Sequence, residues 1–246
     1  MRLVVVGCSG SGPGPASPAS CYLVEHDGFR LLLDLGNGAF GTLQSIADPA
    51  TLDALFLSHL HADHCLDVAP FVVWHRYSGR STGAPVPLFA PRGAESRLAL
   101  AYDAGGEELT DVFDFAVLTP GGFTIGPFAV EAVRTVHPIE CYAVRLTAGG
   151  RSLVYTADTG PCEAIVGLAR GADLLLAEAS HPDDPDLPPR LHMTGREAGE
   201  HAAAAGVGRL LVTHVPSWVD ADAQLLAART GFPPAELAVP GAVYDI

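Results

Sequence analysis

Six residues constrain this chain more than any other feature: His59-Leu60-His61-Ala62-Asp63-His64, which follow the apolar run Leu55–Leu57 and Ser58. Imidazoles two residues apart at a strand exit can point into one pocket, and Asp63 and His64 on the following turn can reach a second position. A solvated polar turn has no need of three histidines at this spacing. Neutral imidazole suits zinc, manganese, iron or nickel, and the carboxylate adds an oxygen donor that manganese and iron accept. Four residues cannot complete two metal shells. The chain must therefore fold so that further ligands are carried to this segment.

The rest of the sequence supplies them at the ends of short apolar runs. Leu31–Leu33 ends at Asp34, Leu55–Leu57 leads to His59, and Val133–Val136 ends at His137. Leu153–Tyr155 leads to Asp158, Leu174–Leu176 to Glu178, and Leu210–Val212 to His214. Runs of this length, closed by turn residues, predict buried strands. Polar groups gathered at strand exits are what an α/β architecture offers, since the strand is buried and its exit loop is not. Helices are predicted over Phe40–Ala47, Leu66–Tyr77, Cys162–Arg170, Arg196–Ala205 and Asp220–Arg229. The Arg196–Ala205 segment carries a capping box, Thr194 with Glu197, and Gly206 as its stop. Phe113 to Leu146 reads as successive strands broken at Pro120–Gly122 and Gly126–Pro127. Strand-rich stretches in both halves predict an α/β (α+β) chain with two packed sheets and helices outside. No repeat or low-complexity linker divides it, so one domain over residues 1–246 is expected.

Charge narrows the chemistry. The chain has 28 Asp+Glu against 14 Lys+Arg, a formal net charge of −14, and every basic residue is arginine. Without lysine there is no Schiff base and no Walker-type phosphate loop. The acidity argues against a broad nucleic-acid or anionic-membrane footprint, while a local basic pocket stays compatible with it. The 5 cysteines are scattered and form no CxxC, which reads as free thiols in a reducing compartment. No stretch approaches the length of a membrane span. A soluble, cytoplasmic protein with no membrane partner is expected.

His137 in TVHP, Asp158 in YTADTG and His214 in VTHVPSW join the first cluster to give five histidines and two aspartates. That inventory suits two metals sharing a bridging carboxylate. Two metals roughly 3.5–4 Å apart can generate a nucleophile and clamp a phosphoryl oxygen. The composition of the set points to a dinuclear hydrolase.

SHLHADH, the isolated His137, ADTG at Asp158 and the late TH at His214 together resemble the metallo-β-lactamase superfamily across nearly the whole chain. The resemblance implies a four-layer αββα sandwich with two divalent ions at the shared sheet edge, zinc first and manganese or iron as alternatives. It implies that His59, His61 and His137 hold one ion, that Asp63, His64 and His214 hold the other, and that Asp158 bridges. Asp34 in LLLDLGNG matches a position that orients a ligand imidazole. The opening VVVGCSGSGPGP, LLAEAS at Glu178 and LHMTGREAG at His192 resemble the ribonuclease Z-like phosphodiesterase branch. There a histidine in an H-x-T segment, here His192, acts as general acid for the departing oxygen, assisted by a preceding glutamate, here Glu178. The catalytic set this implies is His192, Glu178 and Asp63.

Ribonuclease Z proper carries a long arm that grips transfer RNA, usually between the positions of His137 and Asp158, and here that interval is short and strand-like. The whole pattern, from GCSGS to THVPSW, looks more like atypical 3′,5′-cyclic-nucleotide phosphodiesterases of the actinobacterial type. It departs from the class II enzymes, whose motif reads H-x-H-L-D-H, because position 62 is alanine. The resemblance thus implies hydrolysis of a small phosphodiester such as cyclic AMP, with nucleic acid less favoured and a homodimer compatible with the family. The alternatives are a ribonuclease Z-like RNA phosphodiesterase that processes transfer RNA 3′ ends, another hydrolase such as a lactam or thioester cleaver on the same fold, and a metal-holding binding protein. The Glu178–His192 pair disfavours acyl transfer, and filled ligand positions disfavour the non-enzyme. Among weaker candidates, Trp218 would stack on a nucleobase or pack in the core. Arg76 would neutralise a phosphate or pair with a surface acid. His26, His75, His181 and His201 lack motif context, and Cys65 is read as packing.

Overall fold

Strand Arg2–Gly7 shows why the apolar runs are continuous rather than alternating. Leu3 and Val5 face the space between two sheets, whereas Val4 and Val6 face helices on the other side. A strand covered on both faces has no polar side to display. Leu31 and Leu33 are divided from Leu32 in the same way, and Leu174 and Leu176 from Leu175. Each such fully buried side chain contributes about 1.5–3 kcal/mol.

The computed structural model describes residues 1–182 and 191–246. Among these, the chain forms two mixed 7-stranded sheets. The first runs in the order Val243–Asp245, Arg2–Gly7, Cys21–His26, Phe29–Leu33, Ala54–Phe56, Val86–Ala90, Phe113–Val117. The second runs Glu236–Leu237, Arg209–Thr213, Leu174–Glu178, Arg151–Tyr155, Tyr142–Ala148, Phe128–Arg134, Gly121–Ile125. Tyr22 and Phe56 from one sheet meet Phe128 and Tyr155 from the other in the central core. Helices Ala39–Ile46, Val68–Tyr77 and Ala94–Tyr102 cover the first sheet through Leu43, Val72 and Leu98. Helices Glu163–Ala169, Gly195–Ala205 and Ala221–Gly231 cover the second through Ile165, Ala202 and Ala228. The layers are helix, sheet, sheet, helix, the αββα order expected.

Most predicted elements fall within a residue or two of their expected places. The capping box forms, with the Glu197 amide donating to Thr194 Oγ1 at 3.2 Å and the Thr194 amide donating to the Glu197 carboxylate at 2.8 Å. Gly206 closes that helix in the left-handed region at φ 65°. Three details differ. Helix Ala94–Tyr102 has no counterpart among the predictions, because it buries only Ala94, Leu98 and Ala99 and shows little apolar stripe. The strand expected to run through Val136 stops at Arg134, where the Thr135 amide turns to the Cys141 carbonyl. Finally, the predicted Leu66–Tyr77 helix begins at Val68, after a short helical turn over Ala62–Cys65.

What positions the site is strand direction. Phe29–Leu33 and Ala54–Phe56 are parallel neighbours, as are Arg151–Tyr155, Leu174–Glu178 and Arg209–Thr213. Their carboxyl ends finish along one edge, the place where α/β sheets leave a crevice for ligands. Asp34, His59, Asp158, Glu178 and His214 lie at or just beyond those ends. A small parallel bridge, Ser9–Gly10 with Val215–Pro216, crosses there. Among the described residues, no helix is long and apolar enough to cross a membrane.

Candidate metal centre

The chain reaches the sheet edge in a conformation it would not adopt unaided. Asp34 and His214 sit in the left-handed region at φ 58° and 56°, as does Ala157 beside Asp158 at φ 49°. Side chains with a Cβ are held there only when their surroundings over-determine them, and such residues gather at functional sites. Close backbone approach also matters. A Cβ on Gly10 would come within 2.2 Å of the His214 carbonyl oxygen, and one on Gly36 within 2.0 Å of the Asp63 carbonyl oxygen. Both positions therefore require glycine.

Two groups of ligand atoms converge. The donor atoms of His59, His61, His137 and Asp158 lie within 4.8 Å of one another, and so do those of Asp63, His64, Asp158 and His214. In the first, His61 Nδ1 is 3.1 Å from His59 Nε2 and 3.1 Å from His137 Nε2. In the second, His64 Nε2 and His214 Nε2 are 3.0 Å apart, and His214 Nε2 is 3.1 Å from Asp63 Oδ2. Asp158 faces both groups: Oδ2 lies 3.6 Å from His59 Nε2, while Oδ1 lies 3.1 Å from His64 Nε2 and 3.4 Å from His214 Nε2. Although that Oδ1 is buried, it accepts no hydrogen bond. Buried polar atoms rarely go unpaired, so this one marks a place where a cation fits.

The hydrogen bonds behind the cluster decide which ring nitrogens face inward. Asp34 Oδ2 accepts from His64 Nδ1 at 2.7 Å, Tyr155 Oη at 2.7 Å and Ser58 Oγ at 2.8 Å, and its Oδ1 accepts from the Ser58 amide at 2.7 Å. His64 therefore spends its Nδ1 proton on Asp34 and presents Nε2 to the site. Because Ser58 Oγ gives its only proton to Asp34, it must accept from His59 Nδ1 at 3.0 Å, which leaves His59 Nε2 facing inward. Ser180 repeats the device. Its Oγ donates to the His214 carbonyl at 2.6 Å and accepts from His214 Nδ1 at 2.6 Å. Three imidazoles are thus turned with Nε2 toward the site by residues outside it. Asp34 was expected in this role; Ser58, Tyr155 and Ser180 were not. Only Ser58, next to the histidine cluster, carried a local signal.

Electrostatics agree with a cation site. Burial pushes His59 well below the usual imidazole range and His137 down to about 4. Burial also opposes charge on His64, yet the Asp158 and Asp34 carboxylates hold it well above that range. Burial would raise Asp158, but His214, His64 and His59 hold it well below the carboxylate range. Asp63 is likewise lowered against burial by His214 and His64. The carboxylates stay ionised and draw positive charge into a buried place. The donor set and its orientation fit divalent metal.

Beside the cluster stands a second couple. His192 Nδ1 is 3.0 Å from Glu178 Oε1, and the ring lies 5.5 Å from that of His137 and 5.9 Å from that of His214. Glu178 is fully buried and accepts from the Thr159 amide at 2.6 Å and the Ser180 amide at 3.2 Å. Burial lowers the His192 imidazole, but the Glu178 carboxylate outweighs it, and the group is pushed up to about 9. Among the described residues, His192 Nε2 makes no hydrogen bond, and its ring lines a cavity of about 710 Å³. Leu191, Pro216 and Trp218 form apolar parts of that cavity, and Trp218 is 74% exposed.

Trp218 therefore lies beside the site rather than in the core. Arg76 does not reach it. Of the two roles expected for Arg76, pairing with surface acids is the one the structure shows: Asp111 lies at 2.7 Å and Glu107 at 3.0 Å, with Tyr102 under the guanidinium. Cys65 packs in the core under the first helical layer. His75 and His201 bond to backbone groups, and His181 lines the large cavity.

A profile described as the Beta-lactamase superfamily domain matches residues 30–215 of this chain. A Mycobacterium leprae protein is 43% identical over 253 residues, covering 100% of this chain and 89% of the relative. The probable metallo-hydrolase YhfI of Bacillus subtilis is 32% identical over 238 residues, covering 94% of each chain. The crystal structure of YhfI, a metallo-beta-lactamase fold protein, superposes with a TM-score of 0.89 at 29% identity over 99% of this chain and 98% of that one. Ribonuclease Z of Halorubrum lacusprofundi is 29% identical over 277 residues, covering 91% of this chain and 89% of the relative.

Proposed function

The chain belongs to the metallo-β-lactamase superfamily, a family of metallo-hydrolases, and from that premise we propose that it is a dinuclear phosphodiesterase acting on a small 3′,5′-cyclic nucleotide such as cyclic AMP. The observation that carries the reading is the Glu178–His192 couple set against the metal cluster. A phosphodiester leaves as an alkoxide, which needs a proton as the ester bond breaks. His192 is charged by its buried partner, and its Nε2, without a hydrogen bond among the described residues, belongs to a residue that lines the cavity where that oxygen would sit.

In this reading His59, His61 and His137 would hold one divalent ion and Asp63, His64 and His214 the other, and Asp158, which faces both groups, would serve both. The histidine-rich set suits zinc, and its carboxylates accept manganese or iron. When bound, such ions supply Lewis acidity toward a phosphoryl oxygen and lower the pKa of water. The chain's own residues do the rest. Asp63, whose Oδ1 makes no hydrogen bond among the described residues, takes the proton of the attacking water. His192 delivers a proton from Nε2 to the departing 3′-oxygen, while Glu178 keeps Nδ1–H in place. Trp218 and Leu191 receive the base in the apolar cavity and keep water from it. With it come a single domain over residues 1–246 and a cytoplasmic setting for the free thiols, with a homodimer as its assembly.

The interval between His137 and Asp158 is taken up by Tyr142–Ala148 and Arg151–Tyr155, which favours a small substrate over a gripped RNA. The net charge of −14 favours it too, since a long polyanion would be repelled from most of the surface. Metal-reconstituted protein assayed on cyclic AMP, cyclic GMP, bis-p-nitrophenyl phosphate and precursor transfer RNA tests this reading. Metal-dependent turnover of a cyclic nucleotide is the expected result. Cleavage of the RNA alone would overturn it in favour of a ribonuclease, and no turnover of any diester would overturn it outright.

A further inference from the structure

Arginine in this protein is almost always engaged. Among the described residues, only Arg92, Arg97 and Arg170 have a guanidinium with no hydrogen bond, ion pair or ring contact. With 28 acidic residues against 14 basic ones, a guanidinium left without a carboxylate stands out. Two of the three are together. Arg92 and Arg97 line one cavity of about 420 Å³, and His61 of the metal cluster is in the same wall. Leu60 and Ile139 supply its apolar part. The one acid there, Glu140, is occupied by Tyr142 Oη at 2.6 Å and Arg134 at 3.5 Å.

Their position breaks a local rule. Helix Ala94–Tyr102 begins after Gly93, so Arg92 precedes its N-terminus and Arg97 lies in its first turns. Helix dipoles favour anions there and disfavour cations, and Glu95, the acidic side chain of the first turn, forms no ion pair with either arginine. Two guanidinium forks beside a helix N-terminus match the charge and geometry of a phosphate. The cavity is also distinct from the one proposed for the base. That one is reached at His192 and this one at His61, with His137 between them at 5.5 Å and 4.9 Å ring separations.

We propose that Arg92 and Arg97 form an anion subsite that receives a second phosphate of the substrate, beyond the diester that is cut. The inference rests on the phosphodiesterase reading above and deepens it. The substrate class becomes a nucleotide diester that carries a further phosphomonoester, with its base on the Trp218 side and its extra phosphate on the Arg92 side.

Two measurements decide it. The first compares thymidine 5′-(p-nitrophenyl phosphate) with the same ester bearing a 3′-phosphate, using metal-loaded protein at low ionic strength. The wild type should favour the phosphorylated ester in kcat/KM by roughly tenfold or more, and that ratio should fall toward one in the Arg92→Gln, Arg97→Gln double variant. Added salt should shrink the ratio in the wild type. Arg170→Gln, which removes the same charge elsewhere, should keep it. The second follows the melting temperature of metal-free protein with inorganic phosphate. A rise in the wild type and in Arg170→Gln, absent from the double variant, is expected. A wild type without preference, or a double variant that retains it or retains the phosphate-induced rise, would overturn the subsite. If no diester is cut at all, the phosphodiesterase reading fails while the melting experiment still decides whether the arginines bind phosphate.

Discussion

Replacing Glu178 with glutamine removes the charge and one of two acceptor oxygens. Gln keeps the length of the side chain and an oxygen for the Thr159 amide and His192 Nδ1, its NH2 then faces the Ser180 amide, and the negative partner 3.0 Å from His192 Nδ1 disappears. In the native protein, burial lowers His192 and the Glu178 carboxylate overrides it, pushing the imidazole up to about 9 from 6.5. A pKa raised in this way keeps His192 protonated below that value, and the proton is lost as pH rises through it. Without the charge the imidazole returns to about its ordinary value or lower, a change of about 2.5 units or roughly 3 kcal/mol. At pH 6 both proteins are largely protonated and kcat should differ by less than about twofold. At pH 8 the protonated share falls from about nine-tenths to about one-thirtieth, so kcat should drop by about 30-fold or more. Ions bound at the neighbouring cluster move both profiles toward acid, so the separation between the two alkaline limbs is the quantity to read. The assay is kcat against pH on cyclic AMP with saturating metal. Superimposable wild-type and variant profiles would refute the idea that Glu178 charges His192 for proton delivery.

Three other perturbations test neighbouring links of the argument. His192→Ala should lower kcat on cyclic AMP by roughly 10²–10⁴-fold with little change in KM, and should cost far less on bis-p-nitrophenyl phosphate, whose leaving group departs without a proton; equal losses on both esters would count against the general-acid role. Asp34→Ala leaves His64 Nδ1, Tyr155 Oη and Ser58 without their shared acceptor, and metal affinity measured by chelator competition should fall about 10–100-fold. Leu176→Ala, in the core between the sheets, should lower stability by about 2–5 kcal/mol in urea unfolding of metal-loaded protein, leaving the cluster's ligands in place.

The sequence made the layers legible because both faces of each sheet are covered. Leu31–Leu33 and Leu174–Leu176 are unbroken in the sequence for the same reason that Leu32 and Leu175 pack under helices while their neighbours pack between sheets. Helix Ala94–Tyr102 gives no sequence signal because it lies on the surface, buries only Leu98 and two alanines, and owes its place to the sheet beneath rather than to an amphipathic stripe. His59 to His64 were readable as a group because their spacing is local. His137, Asp158 and His214 were readable as candidates from their shared place at strand ends, but each alone is an ordinary polar residue there, and only the family resemblance assigned them to particular ions.

What no linear reading could supply is the pairing of residues far apart in the chain. Ser58 and Ser180 turn two histidines by the same exchange of protons, yet one lies beside its histidine in sequence and the other lies 34 positions away from His214. Tyr155 reaches Asp34 across a sequence separation of 121. The arginines follow the same logic in reverse. Arg76 stood next to the metal motif in sequence and is spent on Asp111 and Glu107, whereas Arg92 and Arg97 belong to no motif and are left facing the cavity beside His61. Net charge alone argued for a small anion of low charge. The fold redistributes that charge, because repulsion from an acidic surface acts at long range and is screened, while two guanidiniums without a carboxylate partner among the described residues act at contact. An acidic protein can therefore exclude polyanions in general and still select, at one edge of its metal centre, a substrate with one more phosphate than the reaction requires.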